Sequence, residues 1–204
     1  MTRNHSSPDE TATDGRVQRG ARNRVAIADA LLSLLEEGDP KPSASDIAGR
    51  AGVSVRSVFQ HYEDLESLYS AIIERQTEHV LEMLPTIDAA LPLSQKIEEF
   101  VAGRARIFER ITPVRRASLL AAPSSPTLQR ALGQAAVTHE RDVAATFAPE
   151  LEREESPAEA RAAVTLATSW EAWDRLRTAQ RCSVPRARRT VVTLVNAVLA
   201  REVC

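Results

Sequence analysis

The chain has 204 residues, of which 43% are hydrophobic and 4% aromatic, and its formal net charge is −2. This length can bury a substantial core in one or two domains, and the dominance of alanine and leucine favours helices over sheets. The charge excludes a chain that is basic throughout. No apolar run resembles a signal peptide or membrane span, and Cys182 and Cys204 lack metal-site spacing, so we expect a cytoplasmic protein with reduced thiols.

Residues 1–15 are polar and mixed in charge, and their composition predicts a disordered arm. Four arginines follow with no acid before Asp29: Arg16, Arg19, Arg22 and Arg24. They begin the first long helix, which ends at Gly38. This cluster is either a solvated helix face or a set of phosphate contacts that add affinity without sequence preference.

The stretch from Ser43 to Tyr69 predicts two short helices, a tight turn and the start of a third. Ser43 is a good N-cap, and the carboxylate of Asp46 suits the first turn of that helix. Gly52 stops the helix because it lacks a Cβ and adopts the left-handed conformation readily. Ser54 caps the next helix, whose buried side carries Val58. Two helices joined at a steep angle by such a turn form a helix-turn-helix, whose second helix enters the DNA major groove.

This run of residues resembles the DNA-binding domain of the tetracycline-repressor-like (TetR) family of transcription regulators. The matching positions are Ile47, Ala48, Ala51, Gly52, Val53, Ser54, Phe59, His61, Tyr62, Glu66 and Leu68, with Ile27, Ala30, Leu31, Leu34 and Gly38 before them. The resemblance implies an all-α protein of about nine helices, with a DNA-binding domain at 16–63 and a ligand-binding, dimerisation domain at 64–204. It also implies a homodimeric repressor that leaves a palindromic double-stranded DNA operator when a small molecule binds.

Five residues of the recognition helix are free to face outward: Val55, Arg56, Ser57, Gln60 and His61. Arg56 suits guanine and Gln60 suits adenine, because each can form two hydrogen bonds with that base. His61 either contacts DNA or is a helix-terminal histidine satisfied by the backbone. The predicted DNA-binding residues are Arg16, Arg19, Arg22, Ser43, Ser54, Val55, Arg56, Ser57, Gln60, His61 and Tyr62.

Two positions depart from the family pattern, and each loses a polar group that usually contacts DNA. Phe59 stands where the family usually has a tyrosine, and Leu65 stands where it usually has a lysine. Either the arginines before Ile27 compensate for this loss, or DNA binding is weakened. The alternative function is therefore a helical small-molecule-binding or interaction protein whose N-terminal domain binds DNA poorly.

The remaining helices are predicted from their apolar spacing and proline positions. A helix from Asp64 ends before Pro85, another begins at Ser94, and a new helix is expected to begin at Thr112–Pro113. Further helices are expected at about 127–147, 157–181 and 185–203, with a loop over 148–157. The last two resemble the family's dimer interface, although their apolar residues are also suited to a core within one chain.

The candidate ligand-binding residues are aromatics with a few polar groups, a combination typical of small-molecule sites. They are Met83, Phe100, Arg104, Phe108, His139, Phe147, Trp170 and Trp173. Trp170 and Trp173 are equally well explained as core or interface residues. The scattered histidines and acids predict no catalytic site, cofactor or metal.

Overall fold

The computed structural model describes residues 8–61, 65–88 and 90–200, with the side chains of 8–17 and of Leu65 outside that description. The α-helices of these ranges are α1 Pro8–Glu36, α2 Ala44–Ala51, α3 Val55–His61, α4 Leu65–Met83, α5 Leu93–Ala121, α6 Pro126–Thr146, α7 Ala148–Leu151, α8 Pro157–Ala167, α9 Trp170–Arg177 and α10 Val184–Leu199. A 3-10 turn over Ala122–Ser124 follows α5. The predicted all-α fold is confirmed, with ten α-helices in the described part of the chain instead of about nine. None of these helices is both long enough and apolar enough to cross a membrane.

The chain forms two compact units, whose limits differ from the expected boundary at residue 63/64. Unit 1 comprises 1–77 and 113–128, and unit 2 comprises 78–112 and 129–204. Unit 1 extends beyond the predicted DNA-binding domain because Leu68, Ile72 and Val114 are buried in the same core as the residues of α1 to α3. Helices α4, α5 and α6 therefore contribute residues to both units.

In unit 1, α1 packs against α2 and α3 around a small aliphatic core. Its most buried members are Ile27, Ala30, Leu32, Ala48, Leu68, Ile72 and Val114. Two ion pairs connect other helices to α1 and to the turn that follows it. Arg75 Nε of α4 lies 2.7 Å from Asp29 Oδ1, and Arg50 of α2 forms a bidentate pair with Glu37. The hydrogen bonds from Arg50 lower the pKa of the Glu37 carboxyl.

The core of unit 2 is larger and contains most of the aromatic side chains. Its members come from α5 to α10 and include Phe100, Phe108, Val143, Phe147, Val164, Trp170, Trp173, Val191 and Val195. Gly103 allows the loop after α4 to lie directly on α5, because a Cβ at this position would be 2.6 Å from Pro85 Cγ. A buried ion pair joins α5 to α7, with Lys96 Nζ 2.8 Å from Glu150 Oε1.

Two segments that were predicted to lack helices are partly helical. Residues 8–15 of the expected disordered arm belong to α1, while 1–7 lie outside the described residues. Once the packed part of a helix exists, each added residue gains a backbone hydrogen bond, so the helix extends into a polar stretch. The predicted loop at 148–157 contains α7, whose Leu151 is buried in the core of unit 2.

Two predicted helix limits are also wrong. A new helix does not begin at Thr112, because α5 continues through Pro113. The proline removes one helical hydrogen bond, but buried side chains on both sides of it, Phe108 and Val114, hold the helix together. Conversely, the single helix expected at 157–181 is divided at Thr168, and Ser169 caps the new helix α9.

Candidate nucleic-acid interface and ligand site

Helix α2 begins with the predicted capping arrangement. The Asp46 backbone N–H donates to Ser43 Oγ at 3.2 Å, and the Ser43 backbone N–H donates to Asp46 Oδ2 at 3.1 Å. The Ser43 hydroxyl also donates to the same carboxylate. These hydrogen bonds lower the pKa of Asp46, so the carboxylate stays ionised beside the positive end of the helix dipole. Ser43 is exposed, but its hydroxyl already serves the cap.

The turn between α2 and α3 follows from one glycine and one serine. Gly52 has φ 67° and ψ 31°, the left-handed conformation in which it ends α2. The next amide, Val53 N–H, donates to the Ala48 carbonyl at 3.1 Å. Ser54 then accepts a hydrogen bond from Ser57 N–H at 3.1 Å and so caps α3. The predicted helix-turn-helix geometry is thus determined locally by residues 43–57.

Helix α3 has one buried side and one exposed side. Val58 is buried against α1 and α2, whereas Val55, Arg56, Phe59 and Gln60 are exposed. The two predicted base-reading residues, Arg56 and Gln60, are separated by four positions and therefore share one face. The hydroxyl of Ser57 lies 2.9 Å from that of Ser54, so it already has a hydrogen-bond partner at the start of α3. Of the outward residues predicted from the sequence, Val55, Arg56 and Gln60 are the most available for contact.

His61, the last residue of α3, is half-buried against α1. Its Nε2 lies 3.5 Å from Asn23 Nδ2, and a Cβ added at Gly20 would be 3.7 Å from its Cε1. Asn23 was not among the predicted site residues, because a contact between positions 38 apart gives no local sequence signal. The side chain of His61 therefore contacts α1 at the end of α3, and it remains a candidate for contact with DNA.

The arginines of α1 remain candidates for phosphate contact. Arg19 and Arg22 are exposed and three positions apart, so they share one helix face. Arg16 belongs to α1, but its side chain lies outside the described part of the structure. Tyr62 also lies outside the described residues.

All eight predicted ligand-binding residues belong to unit 2. Phe100, Phe108, Phe147, Trp170 and Trp173 are buried in its core, and Met83 packs against that core. The Phe100 and Phe147 rings meet edge to face with centroids 5.2 Å apart. Both indole N–H groups have partners inside the unit: Trp170 donates to Thr112 Oγ1 at 3.0 Å, and Trp173 donates to Glu109 Oε1 at 2.9 Å.

Arg104 and His139 form the polar part of this cluster. Arg104 pairs with Asp142, Nη2 to Oδ2 2.6 Å, and its guanidinium lies 4.9 Å from the centroid of Phe100. Burial and the nearby Arg104 lower the pKa of His139 to about 4, so the imidazole is neutral at pH 7. His139 Nε2 lies 3.2 Å from the Thr165 carbonyl and 3.1 Å from Thr168 Oγ1.

The tautomer of His139 follows from these neighbours. Thr168 Oγ1 donates its hydrogen to the Val164 carbonyl at 2.7 Å, so it must accept from His139. The Thr165 carbonyl also accepts. Nε2 therefore carries the imidazole hydrogen, and Nδ1 is a buried acceptor without a hydrogen-bond partner among the described residues.

A small cavity lies beside part of this cluster. A cavity of about 10 Å³ is lined by Val101, Arg104, Phe108, Ala167, Thr168, Ser169, Trp173 and Val191. This volume is about that of one water molecule. Sequence reasoning missed five of these lining residues. Val101 could have been predicted, because it lies three positions before Arg104 and seven before Phe108 and therefore shares their helix face. Thr168 and Ser169 could not, because the break between α8 and α9 was not predicted. The described residues contain no cluster of histidine, cysteine and acidic side chains suited to a metal.

The fold resembles several solved transcription regulators. A transcriptional regulator from Rhodococcus sp. Rha1 superposes with a TM-score of 0.62 at 16% identity, over 89% of this chain and 96% of its own. A TetR-family regulator from Streptomyces coelicolor gives 0.65 at 22% identity, over 87% and 79%. A protein from Mesorhizobium loti described as a TetR-family regulator gives 0.64 at 20% identity, over 89% and 97%. Neither a protein-family model nor a curated protein matches the sequence. The chain therefore has the fold of TetR-family transcriptional regulators.

Proposed function

We propose that the chain is a DNA-binding transcription regulator that binds a palindromic operator through α3. The observation that carries this proposal is the exposed face of α3, where Arg56 and Gln60 lie one helical turn apart. Val58, on the opposite side of the helix, is buried in the core of unit 1. Arginine and glutamine at this spacing match the hydrogen-bonding edges of guanine and adenine in the major groove. Arg19 and Arg22 supply phosphate contacts, which compensate for the tyrosine hydroxyl missing at Phe59 and for a lysine ammonium missing at Leu65.

A homodimer is part of this proposal, since one α3 reads only a few base pairs. Helix α8 packs against α10, and both leave large apolar residues exposed. Leu166 of α8 is 68% exposed and Leu194 of α10 is 47% exposed. The remaining stripe of α10, including Val191 and Val195, is buried within the same chain, so only part of its apolar surface is available to a partner. Two copies would present two recognition helices to half-sites about 34–36 Å apart.

We also propose that a small molecule releases the regulator from DNA by binding among Phe100, Arg104, Phe108 and His139. The neutral His139 offers a buried acceptor at Nδ1, and Arg104 offers a cation. The cavity beside Arg104 and Phe108, about 10 Å³, is too small for such a ligand, so the proposal includes a second conformation in which the site is open. A ligand that binds this conformation more tightly shifts the population towards it, and repression ends if that state fits the operator poorly.

Selection of bound sequences from random double-stranded DNA tests the proposal. The full chain is expected to enrich a palindrome whose half-sites are about one helical turn, or a multiple of it, apart. Binding should weaken steeply with salt because phosphate contacts release counterions. If no sequence is enriched at low salt, the alternative function is favoured. The chain would then be a helical ligand-binding protein whose N-terminal domain binds DNA weakly because Phe59 and Leu65 replace polar residues.

A further inference from the structure

Phe59 is the one phenylalanine of the chain that faces solvent. It is 65% exposed, whereas Phe100, Phe108 and Phe147 are at most 7% exposed. It belongs to neither core cluster of the described residues. The aromatic ring therefore contributes little to folding, although burial of a ring of this size is strongly favourable elsewhere.

The exposed ring has an apolar neighbour on the same helix face. Val55 precedes Phe59 by four positions and is 41% exposed. Positions four apart lie one above the other on a helix, so the two side chains form a continuous apolar strip. This strip adjoins Arg56 and Gln60, whose polar groups are suited to base edges. Helix α3 thus presents an apolar strip and a polar strip side by side.

The major groove offers one apolar feature to such a strip. Each base pair presents hydrogen-bonding groups there, and thymine adds a C5-methyl group. Phenylalanine has no hydroxyl with which to bond a phosphate, so a contact with a methyl group is the interaction that its chemistry favours. We infer that Phe59, supported by Val55, contacts thymine methyl groups beside the bases read by Arg56 and Gln60, and so makes thymine part of the operator sequence. This inference rests on the proposed DNA-binding function.

Replacement of thymine by deoxyuridine tests the inference, because it removes only the methyl group. Each thymine in one half-site of the selected operator is replaced in turn, and binding of the full chain is measured by fluorescence anisotropy. At one or two positions the parent protein should bind about fourfold more weakly, the effect expected for burial of one methyl-sized group. The Phe59→Ala variant should bind thymine and deoxyuridine DNA equally, and Phe59→Leu should keep part of the difference.

Leu120→Ala is the matched control, because Leu120 is 75% exposed on α5 and lies outside the strip. It should retain the full preference for thymine. The inference is overturned if no deoxyuridine position affects the parent, or if Phe59→Ala and Val55→Ala both keep the parent's preference. These results differ from a failure of the proposed function, in which no sequence is enriched from random DNA and this inference falls with it.

Discussion

The carboxylate of Glu66, in α4, accepts a hydrogen bond from the backbone N–H of Thr127 at 2.9 Å. Thr127 is the second residue of α6, so a side chain from another helix satisfies one of the amides that a helix start leaves unpaired. The next amide, that of Leu128, donates to the buried Ser125 hydroxyl at 3.1 Å. The start of α6, which belongs to unit 1, therefore has two side-chain caps of different origin.

Amide hydrogen exchange can separate these two caps. Glu66→Ala should accelerate exchange of the Thr127 N–H about fivefold, the effect of losing a cap worth about 1 kcal/mol. Ser125→Ala should instead accelerate exchange at Leu128. If Glu66→Ala leaves Thr127 as protected as in the parent, the hydrogen bond from Thr127 does not stabilise α6.

The buried ion pair between Lys96 and Glu150 predicts a large loss of stability when one partner is removed. Lys96 is 2% exposed and Glu150 is 11% exposed, so Lys96→Met leaves a carboxylate almost out of water. We expect the free energy of unfolding to fall by about 3–5 kcal/mol in chemical denaturation. Lys96→Met combined with Glu150→Leu should recover most of that loss. A single variant as stable as the parent would show that the pair contributes little to anchoring α7.

The lowered pKa of His139 predicts that acid destabilises the folded protein. A folded-state pKa of about 4, against an ordinary 6.5, means that the unfolded chain binds this proton more readily. Stability therefore falls as the pH is lowered from about 6.5 towards 4, by roughly 3 kcal/mol. His139→Gln keeps a side-chain N–H but cannot titrate. Its stability should depend less steeply on pH over this window, and equal slopes for parent and variant would contradict the assignment.

The proposed dimer predicts that a charge at Leu166 prevents association. Leu166→Glu should sediment as a monomer in analytical ultracentrifugation, because an interface core tolerates few unpaired charges. Its affinity for the palindrome should also fall. Leu120→Glu is the control, since it alters a leucine of similar exposure on α5. If Leu166→Glu remains a dimer, the interface lies elsewhere, and Leu120→Glu should remain a dimer in either case.

The caps and the turn of the helix-turn-helix could be predicted from the sequence because neighbouring residues determine them. Ser43 with Asp46, the left-handed Gly52 and the Ser54 cap all act within a few positions. The features that were missed depend on distant packing. Pro113 lies inside α5 because residues on both sides of it are buried, and the contact between Asn23 and His61 joins α1 to α3.

The surroundings of the candidate ligand-binding residues were predicted less completely for the same reason. The aromatic residues of unit 2 were identified by type, and the structure does bring them into one core. Thr168 and Ser169 line the cavity beside them because α8 ends and α9 begins at these residues. At that break, Thr168 Oγ1 donates to the Val164 carbonyl and lies 3.1 Å from His139 Nε2 on α6, so its surroundings depend on packing between distant positions.

The central claim, that α3 reads DNA sequence, is tested most directly by parallel selection of bound DNA with the parent and with Arg56→Ala. Arg56 is exposed and outside the core, so the variant should fold and associate as the parent does. The parent should enrich a palindrome with a guanine in each half-site, and the variant should lose the preference at that position, a change of about 1–3 kcal/mol for one bidentate contact. Enrichment of the same palindrome by both proteins would contradict the assignment of Arg56 as a base-reading residue.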